Sequence, residues 1–134
     1  MDPVQMRERA PDARALGAAR LDGWRLTFTS DVPGQGGGVP HIELAPGDAV
    51  WGVLWDCTSS DLEALDDYEG VDAGAYVRER TTVFHDGNHV EALVYMAVPR
   101  GYRAPSKSFV AGLVRGAEAH GLPETYVEHL RGLA

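Results

Sequence analysis

The alternation of apolar and polar residues predicts the strands in the first half of the chain. Residues 24–29 alternate with period 2, which is typical of a strand with one buried face. Residues 50–56 are apolar at most positions, so this strand is expected to be buried on both faces. Residues 13–21 and 39–44 indicate further extended segments, the second of which is expected to end in a turn at residues 46–48.

A β-hairpin is predicted further along the chain. Residues 76–84 and 89–97 are two strand-like segments separated by Asp86-Gly87-Asn88, a sequence that favours a tight turn. The two strands are therefore expected to pair antiparallel.

Helices are predicted from capping residues and from apolar residues that recur at helical spacing; the first rests on Asp2 as a cap and Pro3 at the first helical position. The predicted helices are residues 2–9, a segment from a cap at 58–61 to about 68, residues 106–120 and residues 124–133. Ser106 is the N-cap predicted for the third helix, and Gly121-Leu122-Pro123 ends it. No internal repeat or linker divides the sequence, so residues 1–134 are interpreted as a single domain.

The composition argues against several classes of function. The formal net charge of −8 is unfavourable for binding the phosphates of nucleic acid. No apolar segment approaches the about 20 residues that span a bilayer, and the N-terminus lacks the apolar core of a signal peptide. Cys57 cannot form an internal disulfide, and its apolar neighbours favour a buried small side chain over a nucleophile. We therefore expect a cytoplasmic protein that binds neither nucleic acid nor a membrane.

Three patterns that often carry chemistry are weak in this sequence. The glycine-rich residues 34–38 lack the Lys-Ser/Thr that follows in a phosphate-binding loop, so a flexible or closely approaching turn is favoured. The histidines, at 41, 85, 89, 120 and 129, have no metal-ligand spacing, and no metal site is expected. Residues 58–60 provide hydroxyl groups that helix capping explains, and nothing favours a Ser-His-Asp triad.

Glu69 lies in the most informative segment, Leu65-Asp66-Asp67-Tyr68-Glu69-Gly70-Val71. By residue type alone, a carboxylate at the end of a helix is a solvated surface group. The sequence blocks on either side change that interpretation. They are Val-Trp-Gly-Val-Leu-Trp at 50–55, Val-Tyr-Met at 94–96, Ala-Pro-Ser at 104–106, and matching positions between 116 and 126. Taken together and in this order, they resemble the γ-glutamylcyclotransferase family, which is also described as AIG2-like, over essentially the whole chain.

The resemblance implies a fold and a reaction. The fold is α+β, a small mixed β-barrel with flanking helices. The reaction is an acyl transfer within the substrate: a γ-glutamyl amine or amide cyclises, releasing 5-oxoproline and the free amine. Because the substrate's own α-amine is the nucleophile and a five-membered ring closes readily, the enzyme needs neither a nucleophile nor a cofactor.

The resemblance also implies which residues form the site. Glu69 corresponds to the family's catalytic glutamate, a general acid/base that takes a proton from the α-ammonium and returns it to the leaving nitrogen. Tyr76 corresponds to a tyrosine that lines the substrate pocket. Phe109 and Gly38 complete the expected substrate-binding set, which would hold a small-molecule γ-glutamyl compound.

Two departures from the family pattern leave a rival interpretation open. Family members carry a Tyr-Gly-Ser-Asn loop whose backbone N–H groups hold the substrate, and Met1 matches the position just after it. Phe109 stands where the family often has a tyrosine. Either the natural chain begins upstream of Met1, or this is a degenerate homologue that acts as a ligand- or partner-binding module. In the second case an exposed strand edge is expected to favour a homodimer.

Overall fold

The structure is a computed structural model that describes residues 3–30, 37–69 and 76–133. Its elements, in chain order, are α1 Pro3–Arg9, β1 Arg14–Thr29, β2 Val39–Asp56, α2 Ser59–Glu69, β3 Tyr76–His85, β4 Asn88–Ala97, α3 Lys107–Ala119 and α4 Glu124–Arg131. The helices agree with the predicted ones to within a few residues. Asp2, the predicted cap of the first helix, lies outside the described residues.

β1 and β2 are long antiparallel strands that pair along almost their whole length, from Arg14↔Asp56 to Thr29↔Val39. Each joins two segments that the sequence predicts as separate. The register shifts at Gly23, where Asp22 pairs with Ala49 but Trp24 pairs with Leu44. The turn predicted at residues 46–48 is therefore wrong, because these residues bulge out of β2 opposite Gly23 and do not reverse the chain.

The predicted hairpin is confirmed. β3 and β4 pair antiparallel from Tyr76↔Ala97 to His85↔Asn88, which leaves Asp86 and Gly87 as a two-residue loop. Their φ angles are 49° and 81°, the left-handed values that a type I′ hairpin turn requires at both positions. β3 also pairs with β1 at Arg20↔Phe84, so the strand order is β2-β1-β3-β4.

The α+β class with flanking helices is confirmed, but the sheet is not closed into a barrel. Among the described residues, the edge strands β2 and β4 do not hydrogen-bond to each other, and all the strand pairs are antiparallel. An apolar cavity of about 150 Å³ is lined by residues of all four strands, among them Leu21, Val50, Val83 and Leu93. Closure depends on pairing between strands distant in sequence, which periodicity alone does not reveal.

α3 and α4 pack on β1 and β2 and form the main apolar core. Ala117 and Leu130 are fully buried there, and Leu26, Trp51 and Val53 of the sheet pack against the cluster. Full burial of one such leucine contributes about 1.5–3 kcal/mol. None of the helices that the structure describes is long and apolar enough to cross a membrane.

Candidate active site

The helix that carries Glu69 has a well-defined start. The N–H of Asp61 donates to the hydroxyl of Thr58 at 3.1 Å, and the N–H of Thr58 donates to the carboxylate of Asp61 at 3.0 Å. This reciprocal capping box satisfies two backbone N–H groups, and Asp61 is only 2% exposed. The helix runs unbroken from there to Glu69, its last residue. The remainder of the family segment, residues 70–71, lies outside the described residues, as do residues 34–36 of the glycine-rich stretch.

The last turn of α2 is attached to the sheet through Asp66. Its Oδ1 accepts a hydrogen bond of 2.5 Å from the hydroxyl of Tyr95, and Arg78 Nη1 lies 3.2 Å from Oδ2. Arg78 and Tyr95 are direct partners in the pairing of β3 with β4. Burial raises the pKa of the Tyr95 phenol, and its bond to Asp66 raises it further, so this hydroxyl remains a donor through neutral and moderately alkaline pH.

Electrostatics alone would disfavour this end of the helix. The last turn contains Asp66, Asp67 and Glu69 and no basic residue, although the C-terminus of a helix carries partial negative charge. The compensating cations come from other elements. Arg78 reaches Asp66 from β3, and the guanidinium of Arg9 lies 3.6 Å from the centre of the Tyr68 ring. The end of α2 therefore depends on tertiary contacts.

Tyr76 is the first residue of β3, and its side chain reaches toward the start of β2. The hydroxyl donates to the carbonyl of Pro40 at 3.4 Å, and the residue is half-buried. Glu69 ends the helix just before this strand, and the last turn of that helix contacts β3 at Arg78. The chain thus places Tyr76 and the end of α2 at the same end of the sheet.

Gly38 is required by a close approach of two backbone segments. A Cβ at this position would lie 1.9 Å from the carbonyl oxygen of Arg103 and 3.1 Å from Cβ of Phe28. The N–H of Gly38 donates to the carbonyl of Ala104 at 2.7 Å. This N–H group is therefore committed to the protein, and any contact of Gly38 with a substrate uses other atoms.

Phe109 lies in the first turns of α3 and packs edge-on against Phe28. The ring centroids are 6.0 Å apart at an angle of 85°. Ser106 caps this helix as predicted, its hydroxyl accepting from the N–H of Phe109 at 3.2 Å. Phe28 thus contacts Phe109 on one side and closely approaches Gly38 on the other, so these two predicted substrate-binding residues share one neighbour.

Similarity to known proteins identifies the family to which the chain belongs. A family model described as the AIG2-like family matches residues 49–130. The gamma-glutamylcyclotransferase of Homo sapiens is 33% identical over 133 residues, with 93% of this chain and 69% of that protein covered. The chain belongs to the γ-glutamylcyclotransferase family. The corresponding protein of Mus musculus is 32% identical over 131 residues, with the same coverage.

The fold agrees with this assignment. A solved structure named gamma-glutamyl cyclotransferase superposes on the chain with a TM-score of 0.91 at 30% sequence identity. The match covers 98% of this chain and 80% of that one. The four-stranded sheet with its flanking helices is thus a cyclotransferase-family fold.

The contacts of Asp66 with Arg78 and Tyr95 are the part of the candidate site that the sequence did not predict. Asp66 and Tyr95 both belong to the blocks that carry the family resemblance. What links them is the register of β3 with β4 and the placement of α2 beside both strands, neither of which the sequence displays. The only available signal was an acidic helix end that lacks a basic residue of its own.

Other features of the described chain lie apart from this site. A second, open cavity of about 610 Å³ is lined in part by Arg25, Tyr126 and His129. Neither this cavity nor the apolar one is lined by the three predicted substrate-binding residues. Within the described ranges, no group of three or more His, Cys, Asp or Glu side chains is arranged to hold a metal ion.

Proposed function

We propose that this chain catalyses intramolecular cyclotransfer on a γ-glutamyl amine or amide, releasing 5-oxoproline and the free amine, with Glu69 as general acid/base. The observation that carries the proposal is the similarity of the chain to proteins named gamma-glutamylcyclotransferase. Glu69 lies in residues 65–71, one of the segments on which the family resemblance rests. It is the last residue of a helix that is capped at its start and attached to the sheet near its end.

The reaction balances with one proton carrier. The substrate's α-amine attacks its γ-carbonyl carbon, a new C–N bond closes the five-membered ring, and the bond to the leaving amine breaks. Glu69 accepts a proton from the α-ammonium nitrogen and delivers it to the leaving nitrogen. Ring closure within one molecule already has a high effective molarity, so the protein chiefly orients the substrate and moves the proton.

The surrounding residues would shape the substrate pocket. Tyr76 is half-buried at the start of β3, with its hydroxyl directed to Pro40 of β2, and would provide an aromatic wall of the pocket. Phe109, whose ring packs against Phe28, stands where the family resemblance leads us to expect a tyrosine hydroxyl. This replacement is expected to weaken binding of the polar glutamyl group or to change the preferred substrate, because one hydrogen bond is lost.

The test is the formation of 5-oxoproline from γ-glutamyl-alanine and a series of γ-glutamyl amines. Glu69→Gln should remove activity, with a decrease of about 10²–10⁴-fold for loss of a general acid/base. Asp67→Asn is the matched control, since Asp67 is an exposed carboxylate in the same helical turn, and this variant should retain activity. Equal activity of the Glu69→Gln and wild-type proteins would contradict the assigned role.

A second candidate function is ligand binding without catalysis. Two observations favour it: the N–H of Gly38 is already bonded to Ala104, and Phe109 lacks a hydroxyl. Such a protein would bind γ-glutamyl compounds in calorimetry but form no 5-oxoproline from any of them. Product formation that depends on Glu69 would exclude this alternative.

A further inference from the structure

We propose that Asp66 is a positioning residue for Glu69, held in place by Tyr95 and Arg78 so that the last turn of α2 keeps one geometry. The inference rests on the proposed function, because it concerns the residue that would move the proton. It adds a set of groups that do not touch the reacting atoms but fix the backbone that carries Glu69.

The contacts of Asp66 are less exposed to solvent than those of an ordinary surface ion pair. Asp66 and Arg78 are 30% and 38% exposed, and Tyr95 contributes a 2.5 Å hydrogen bond to the same carboxylate. Two residues further along β3, Arg80 pairs with Glu91 at 3.4 Å, where both side chains are 68–80% exposed. Hydrogen bonds to an ionised carboxylate strengthen as water is excluded, whereas exposed pairs contribute little.

The attachment acts where the helix is weakest. The last carbonyl groups of a helix have no partner inside it, so a terminal turn without tertiary contacts frays. Asp66 stands one turn before Glu69, and the helix is continuous between them. Its partners come from two strands that are hydrogen-bonded to each other at Arg78↔Tyr95, which makes the anchor point rigid.

Fixed placement matters more for a proton carrier than for a binding group. A general acid/base must lie within hydrogen-bond reach of the atom it serves, and a misplacement of about 1 Å can reduce turnover by about 10²-fold. A looser helix end would therefore lower kcat while leaving most contacts with the substrate in place. KM should change much less than kcat.

The experiment measures kcat and KM for γ-glutamyl-alanine in Asp66→Asn, Tyr95→Phe and Arg78→Gln. Each should lower kcat by about tenfold or more with KM within about threefold of wild type. The matched controls are Arg80→Gln and Glu91→Gln, which remove the exposed pair on the same two strands and should leave kcat unchanged. Arg78→Lys should restore part of the kcat lost in Arg78→Gln.

The variants also test whether the groups act as a unit. The double variant Asp66→Asn/Tyr95→Phe should lose little more kcat than Asp66→Asn alone, because one contact has already been broken. Amide hydrogen exchange should show faster exchange at the end of α2 in Asp66→Asn, with unchanged exchange in α4. This measurement remains informative even where a variant is marginally stable.

The outcomes separate the two proposals. Wild-type protein that forms no 5-oxoproline overturns the proposed function, and the positioning role falls with it. Active wild type, with the Asp66 and Tyr95 variants equal to the Arg80 and Glu91 controls, overturns the positioning role alone. Variants that lower only the thermal midpoint, with kcat per folded molecule and exchange in α2 unchanged, also overturn it.

Discussion

The two helical regions of this molecule are held to the same sheet by different kinds of contact. α3 and α4 bury apolar side chains completely, as Ala117 and Leu130 show. The end of α2 is instead held by Asp66 and its polar partners, which remain partly exposed. Apolar burial contributes more free energy but is non-directional, whereas a hydrogen bond depends on the distance and angle between its partners and so fixes orientation. We therefore expect stability to reside mainly in the α3–α4 region and the geometry of the proposed site to depend on the end of α2.

The largest loss of stability is expected from a substitution in the apolar core that α3 and α4 form with the sheet. Leu130→Ala removes a fully buried side chain and should lower the free energy of unfolding by about 2–5 kcal/mol. Denaturant unfolding measures this loss. The matched control is Leu93→Ala at a leucine that is 45% exposed, which should cost much less. If the folded Leu130→Ala protein also lost kcat, stability and site geometry would not be separable in the way the comparison suggests.

A substitution at Gly38 should affect both the stability of the fold and the binding of substrate. Gly38→Ala places a methyl group against the carbonyl of Arg103, and relief of that clash must move either the start of β2 or the segment leading to α3. The expected cost is about 1–3 kcal/mol of unfolding free energy, accompanied by weaker substrate binding. Gly52→Ala is a suitable control, because a Cβ there would meet no atom within 4 Å. Equal stability of the two variants would show that the approach at Gly38 is looser than the structure indicates.

Helices α2 and α3 both begin at a hydroxyl cap, so the same kind of substitution can be compared in the two regions. Ser106→Ala removes the cap of α3, and Thr58→Ala removes the cap of α2. Each should cost about 1 kcal/mol in thermal or denaturant unfolding. If the end of α2 is anchored independently through Asp66, Thr58→Ala should retain its kcat despite the lost cap. A large fall in kcat for Thr58→Ala alone would mean that the start of α2 also controls the site.

The sequence predicts the elements whose signals are local. The turn at Asp86-Gly87 and the cap at Ser106 follow from residues adjacent in sequence, and both are confirmed. The bulge opposite Gly23 was missed because it depends on the partner strand, and the sheet is open where a barrel was expected. The Asp66–Tyr95 contact joins residues separated by 29 positions, so it depends on tertiary placement. The role of Glu69 itself is still a prediction from the family resemblance.

The smallest expected effect concerns the ionisation of Cys57, which lies just before the start of α2. Burial raises the pKa of its thiol, and the carboxylates of Asp61 and then Asp56 raise it further, so less thiolate is present in the folded protein than in the unfolded one. The folded state therefore binds the thiol proton more tightly. The contribution of this group to stability is fully present below the unfolded pKa of about 8.5. It is lost as the pH rises from that value through the higher pKa of the folded protein.

Alkylation by iodoacetamide between neutral and alkaline pH measures this difference. Cys57 should react more slowly in the native protein than in denaturant, with the midpoint of its pH–rate profile displaced to higher pH. Asp56→Asn should preserve most of the displacement, because burial is the largest cause and Asp56 the smallest. Native reactivity equal to that in denaturant would mean an accessible thiolate beside the cap of α2. The start of this helix would then hold a reactive group, in addition to the carboxylate proposed for catalysis at its end. The distinction between a stabilising and a functional region would no longer separate α2 from the α3–α4 region in the same way.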